Sequence, residues 1–190
     1  MLLYVHGFNS SALSFKAGLF AKRMAELGRS ADFMCPELPD RPHRAIALLE
    51  DCMKGRDPGE VALIGSSLGG FYATWLSERY ASRAVLVNPA VRPYQLLAPA
   101  LGPQKNLYTN RAYEFTETHL AELRALEVPE VSPSRYLLIT RTGDEVLDYR
   151  HAVEKYRGCE QLVIEGGDHG FGDFEAYLER ALAFCGVVAP

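Results

Sequence analysis

Ser67 stands between glycines two residues away on each side, in Leu63-Ile64-Gly65-Ser66-Ser67-Leu68-Gly69-Gly70. A hydroxyl in such a setting can attack an acyl carbonyl if a base takes its proton. The flanks supply the mechanical context: Val61 to Ile64 is an apolar strand candidate and Phe71 to Tyr80 a helix candidate, so the serine occupies a tight strand-to-helix turn. That turn lifts the hydroxyl above the carboxyl end of a sheet. A helix starting near Leu68 aims unpaired backbone N–H groups at the same place, where a negative oxygen would be held. Glycine- and serine-rich turns also recur by chance in short windows, so the reading depends on partners elsewhere in the chain.

Of five histidines, His169 lies in Gly166-Gly167-Asp168-His169-Gly170-Phe171, after the last strand candidate, Gln161 to Glu165, and before the last helix candidate, Phe174 to Phe184. It is the expected base. His43 and His151 fall at helix starts, His119 falls within a later excursion, and His6, just before Gly7, suits a loop-stabilising role. An imidazole acting as base needs an anion to fix its tautomer. Asp144, in Thr140-Arg141-Thr142-Gly143-Asp144-Glu145-Val146, follows the strand candidate Tyr136 to Thr140 and is the expected acid. Glu145 and Asp148 are alternatives, whereas Asp168 adjoins the base in sequence and should turn away to structure the loop. The order Ser67, Asp144, His169 is the one expected when such a triad is built on an α/β sheet. Leu68 N–H and Phe8 N–H, the latter from the loop after the first strand, are the expected oxyanion donors. These groups imply attack by Ser67, proton transfer through His169 and an acyl-enzyme that water resolves, with no metal or organic cofactor required.

Three loops can serve one site only if parallel strands bring their carboxyl ends together. Leu2 to Val5, Ala31 to Cys35, Val61 to Ile64, Ala84 to Asn88, Tyr136 to Thr140 and Gln161 to Glu165 read as strands. Helical patterns near 14–27, 43–53, 71–80, 149–156 and 174–184 alternate with them, and in the first of these Phe15, Leu19, Met24 and Leu27 are available for an inner face. The expected class is α/β: a single domain over residues 1–190, with about six mostly parallel strands and helices on both faces. Residues 89–133 break the rhythm, with Pro93, Pro99, Pro103, Pro129 and Pro133 punctuating two helix-like pieces, Tyr94 to Leu101 and Tyr113 to Leu126. They are expected to form a cap-like helical excursion over the carboxyl edge. Its Leu96, Leu97, Leu101, Tyr108, Tyr113 and Phe115 would either line an apolar acyl pocket or pack the excursion onto the body.

A chain of 190 residues can bury one substantial core. Its 20 basic and 24 acidic residues give a net charge of −4 without a basic block, which argues against nucleic acid as a partner. No stretch approaches the roughly 20 apolar residues that span a bilayer. Met1-Leu2-Leu3-Tyr4-Val5 reads as a first strand and not as a secretory leader. Cys35, Cys52, Cys159 and Cys185 are widely spaced, without a Cys-x-x-Cys pair or zinc-ligand spacing, so free thiols in a reducing, cytoplasmic setting are expected.

His6-Gly7-Phe8-Asn9-Ser10-Ser11, the Ser67 elbow, Val87-Asn88-Pro89-Ala90-Val91-Arg92-Pro93, Thr142-Gly143-Asp144-Glu145-Val146-Leu147-Asp148-Tyr149 and Glu165-Gly166-Gly167-Asp168-His169 together resemble the bacterial YqiA/YcfP-type esterases. These are small members of the α/β-hydrolase superfamily. The likeness runs from Leu2 to about Phe184; the elbow and histidine loop are general to the superfamily, while the Asn-Pro-Ala-Val-Arg-Pro and Thr-Gly-Asp-Glu-Val-Leu-Asp-Tyr runs are more particular. The resemblance implies a three-layer α/β-hydrolase fold lacking the two leading strands of the full pattern. It also implies hydrolysis of carboxylic esters, with acyl-CoA thioesters among the candidate small-molecule substrates, and it carries nucleophile, acid and base to Ser67, Asp144 and His169. Asp168 stands where relatives can carry asparagine. Asn88 and Arg92 would stabilise the loop after the fourth strand, with substrate contact by Arg92 as the alternative.

The same triad could serve an amidase, a peptidase or a lyase, because fold and triad do not select the substrate. From another class, the scaffold could be inert and act as a binding or interaction protein. Covalent labelling of Ser67 separates the second case, and turnover of esters beside amides the first.

Overall fold

The computed structural model describes residues 1–189. Four short apolar segments form the middle of one sheet: β1 (Leu2–Val5), β3 (Ala62–Ser66), β4 (Arg83–Val87) and β7 (Tyr136–Arg141). All their residues are buried except Arg83, as strands covered on both faces require. The two-residue β2 (Phe33–Met34) and the half-exposed β8 (Glu160–Ile164) close the edges. The order is β2-β1-β3-β4-β7-β8, and every pair is parallel.

Strand alternation splits the core into two layers. Leu3, Val5, Leu63, Leu86 and Leu138 face α2 (Pro42–Met53), α3 (Leu68–Tyr80) and α6 (Tyr149–Lys155). Leu2, Tyr4, Ile64, Val85 and Ile139 face α1 (Phe15–Glu26) and α7 (Leu178–Phe184). This is the three-layer α/β-hydrolase fold. In α1 the inward face is Ala17, Phe20 and Met24, at helical spacing, and Phe15 turns out to solvent instead of joining the inner face. Residues 30–32 wind into a single 3₁₀ turn, which leaves only two of the five strand-like residues at 31–35 to pair with β1.

The strand order reverses direction beside β1. The chain goes outward from β1 to β2 and returns across β1 to β3, so the connections leaving the carboxyl ends of β1 and β3 pass to opposite faces of the sheet and border a crevice. Ser67 follows β3 directly and Gly7 follows β1. Backbones meet closely there. A Cβ on Gly69 would lie 1.9 Å from the Val5 carbonyl oxygen, and one on Gly65 would lie 2.5 Å from the Gly69 oxygen. Gly69→Ala is therefore expected to destabilise the fold by about 3 kcal/mol or more. Thermal melting should show this as a drop of roughly 10 °C.

The excursion is not helical throughout. Between β4 and β7 the chain forms α4 (Pro93–Leu96), an antiparallel hairpin of β5 (Gly102–Lys105) and β6 (Ala112–Phe115), and α5 (Glu117–Ala125). Tyr113 to Phe115 belong to a strand and not to the helix expected over 113–126. Phe115 turns in, edge-on to Phe8 with ring centroids 5.4 Å apart, and Thr116 caps α5. Pro103 is tolerated because a two-stranded ribbon has free edges. The hairpin is stitched to the loop after β1: Leu107 N–H donates to Asn9 O (3.1 Å), Asn106 Nδ2 to Ser10 O (2.8 Å), Tyr113 OH to Asn9 Oδ1 (2.8 Å), and Asn9 Nδ2 to Gln104 Oε1 (3.2 Å).

Candidate active site

Ser67 has φ 55° and ψ −122°, in the left-handed region that a non-glycine residue occupies at a cost of about 1–3 kcal/mol. Hydrogen bonds from both sides enforce it: Ser67 N–H donates to Val87 O (3.0 Å), while Ser67 O accepts from Gly70 N–H (2.9 Å) and Ala90 N–H (3.0 Å). The result is a half-buried serine at the start of α3 that lines a cleft. Leu68, the first helical residue, has no preceding turn to receive its N–H. Across the crevice Gly7 presses on the same serine, since a Cβ there would come within 3.1 Å of Ser67 Cβ. The Gly7-Phe8 segment and the Leu68 N–H thus border one spot.

His169 Nε2 lies 3.1 Å from Ser67 Oγ, and its Nδ1 lies 2.7 Å from Asp144 Oδ2. The other carboxylate oxygen, Oδ1, accepts the N–H groups of Val146 (2.9 Å) and Leu147 (2.8 Å). Burial alone would raise the Asp144 pKa, but the bonds from His169, Leu147 and Val146 outweigh it and hold the group below its ordinary value of 3.8. Asp144 is therefore a carboxylate at neutral pH and can only accept. The proton between the two residues sits on Nδ1, which leaves Nε2 free to take one from Ser67. Because the folded-state pKa is depressed, this pairing stabilises the protein above about pH 4 and the contribution fades as acid titrates the carboxylate.

The other candidate acids have different employment. Glu145 accepts the His169 backbone N–H (2.9 Å), Asp148 caps α6 by accepting Arg150 N–H (3.0 Å), and Asp168 Oδ1 accepts Phe171 N–H (2.8 Å). Among the histidines, His6 is buried, with Nδ1 3.1 Å from Gly7 O and Nε2 accepting from Leu38 N–H (3.1 Å). Its burial lowers its pKa, so the ring is a neutral brace for the Gly7 loop. His43 pairs with Glu122, and His119 sits buried in the cap of α5. His151 lies with Arg92, Leu96 and Leu147 in a separate depression that Ser67 does not line. Arg92 is 61% exposed, 3.8 Å from Glu127.

The cleft that contains Ser67 and His169 is walled by Phe15, Lys16, Leu107 and Tyr108. Of the six apolar residues expected as candidate pocket lining, Tyr108 alone is among them. Leu97 and Phe115 pack against the core instead, Tyr113 lines an adjoining cleft with Gly7, Phe8 and Leu68, and Leu96 and Leu101 are exposed outside the Ser67 cleft. Among the described residues no three His, Cys, Asp or Glu side chains converge in a set able to hold a metal ion.

Two buried groups that hold the histidine loop stand behind Ser67, His169 and Asp144. Asn88 Oδ1 accepts from Thr140 Oγ1 (3.2 Å) and Arg141 N–H (2.9 Å), while Nδ2 donates to the carbonyls of Asp168 (3.3 Å) and His169 (3.2 Å). One amide thus ties the ends of β4 and β7 to the His169 loop. Arg141 lies under the same loop, paired with Asp173, donating to Glu165 O (3.3 Å) and stacked over Phe171 with 4.5 Å to the ring centroid. Asn88→Asp keeps the acceptor and removes the donor, so kcat should fall by about a hundredfold with little change in KM. Steady-state kinetics on the folded variant checks this.

Comparison with known proteins agrees with the architecture. A model of the uncharacterised protein family UPF0227 matches residues 1–186. Alpha/beta hydrolase domain-containing protein 17C of Xenopus tropicalis and of Homo sapiens are each 28% identical over 142 residues, 72% of this chain. The match covers 42% and 39% of those proteins, so the chain spans about two fifths of the length of these curated relatives. Among solved structures, a protein of Agrobacterium vitis S4 put forward as a hydrolase superposes with a TM-score of 0.77 at 19% identity, covering 97% of this chain and 87% of that one. Mouse alpha/beta hydrolase domain-containing protein 10 gives 0.67 at 16% identity, covering 98% and 87%, and an esterase domain from a Rhodothermus marinus protein gives 0.60 at 15%, covering 96% and 85%. No helix among the described residues is long and apolar enough to cross a membrane. The fold, the motifs and the whole-length match together place this chain in the UPF0227 family, the YqiA/YcfP-type proteins of the α/β-hydrolase superfamily.

Proposed function

We propose that this chain is a serine hydrolase that cleaves carboxylic esters or acyl thioesters through Ser67, His169 and Asp144. The observation that carries the reading is the continuous hydrogen-bonded line from Ser67 Oγ through His169 (3.1 Å and 2.7 Å) to Asp144. Ser67 Oγ attacks the acyl carbon as His169 Nε2 takes its proton, and the carbonyl electron pair moves to an oxyanion held by Leu68 and Phe8 N–H. The imidazolium, stabilised by Asp144, returns its proton to the leaving alcohol or thiol as the C–O or C–S bond breaks. Water then repeats the sequence on the acyl-enzyme with the same ring as base, releasing a carboxylic acid and free Ser67. Residues 1–190 act as one catalytic domain in this reading, with 89–133 as its cap.

A fluorophosphonate followed by intact-mass measurement tests the proposal. Wild type should gain one adduct, Ser67→Ala none, and His169→Ala should label far more slowly. A folded wild type that stays unlabelled would favour the inert-scaffold reading instead. Parallel assays of acyl esters, thioesters and amides separate an esterase from an amidase.

A further inference from the structure

The leaving group has a required side. It must receive the proton from His169 Nε2, so it departs on the face of Ser67 that His169 occupies. The cleft on that face has an apolar wall of Phe15, Leu107 and Tyr108, all exposed, and one cation, Lys16. Lys16 Nζ donates to the carbonyl of Gly170, the residue after the base, at 2.6 Å. An ammonium has three donors, so two remain beyond this bond. No carboxylate forms an ion pair with Lys16 among the described residues; Asp168 and Asp144 act on it only as a more distant field. Burial dominates, and it pushes the Lys16 pKa down to about 8. A half-buried cation without a counter-ion beside a nucleophile is a position that an arriving anion would complete.

We propose that Lys16 is a specificity-determining residue that selects substrates carrying an anionic group, a carboxylate or phosphate, on the leaving alcohol or thiol. This rests on the Ser67 reading and names the substrate class of that same site. The apolar wall takes the body of the leaving group while the ammonium takes its charge. The competing role is a strap, in which Lys16 merely ties α1 to the histidine loop through Gly170 O.

The test compares 4-nitrophenyl butyrate with its 3-carboxylate analogue, which share one acyl group and differ in the charge of the leaving phenol. Each kcat/KM is divided by the ester's rate with hydroxide, to remove intrinsic reactivity. Wild type should favour the carboxylated ester by about tenfold, and Lys16→Met should abolish that preference. Lys16→Arg should retain it. So should Lys22→Met, which removes the same charge from a side chain 71% exposed on the same helix. A wild type without preference, or a Lys16→Met variant that loses both esters in equal proportion, overturns the proposal and leaves the strap. Turnover and a fluorophosphonate adduct without charge preference would sink Lys16 alone. Neither turnover nor adduct would bring down the Ser67 reading, and this inference with it.

Discussion

Ser67→Ala is expected to lower kcat on a reactive acyl ester roughly a millionfold, with KM little changed and the melting temperature preserved. The size follows from the loss of the covalent route, since only the oxyanion donors and binding contacts are left to assist water. The preserved stability follows from the backbone. The left-handed φ of 55° belongs to the turn, and alanine brings the same Cβ into the same contact with Gly7. Among the described residues the serine hydroxyl is bonded to His169, at 3.1 Å, and to no other group that would miss it. Steady-state kinetics beside a thermal melt decides the matter: a variant that folds normally and retains more than a small fraction of turnover removes Ser67 from the chemistry.

Asp144→Asn should be nearly as damaging, at about 10⁴-fold in kcat. The amide oxygen can still accept the N–H groups of Val146 and Leu147, which fixes the side chain in its present orientation. Its NH2 then occupies the place of Oδ2 and faces His169 Nδ1 as a donor. The ring must answer by accepting at Nδ1 and carrying its proton on Nε2, where it points at Ser67 and can take nothing from it. Geometry survives and the tautomer is wrong. A proton NMR signal for the ring N–H in wild type, moved or lost in the variant, would report the exchange directly. A kcat within tenfold of wild type would show that Glu145 or another group can act as the anion.

Ser67, Asp144 and His169 stood out in the sequence because each lies within five residues after a strand whose apolar run is short. Ser67 follows Ser66, Asp144 follows Arg141, and only the His169 loop is longer. Parallel strands covered on both sides then force all three to one edge. Asn88 was expected to stabilise the loop after the fourth strand, but its link to the His169 loop was not visible. Its four partners lie 52 to 81 residues away, and nothing local to it predicts them. Lys16 and Arg141 were hidden for the same reason, because a charged residue in a helix or at a strand end reads as solvated until the tertiary fold buries it. The hairpin failed differently. Ala112-Tyr113-Glu114-Phe115 is too short for alternation to stand out, and the helix that follows lent it a false continuity.

The four hydrogen bonds between the hairpin and the loop after β1 have a consequence that amide exchange can follow. Each bond joins a residue of 104–113 to Asn9 or Ser10, so neither segment can separate without releasing the other. Their backbone amides should therefore trade protons for deuterons as one cooperative unit, distinct from the slower sheet. An acyl group seated against Phe8 would slow both segments together, although it touched only one.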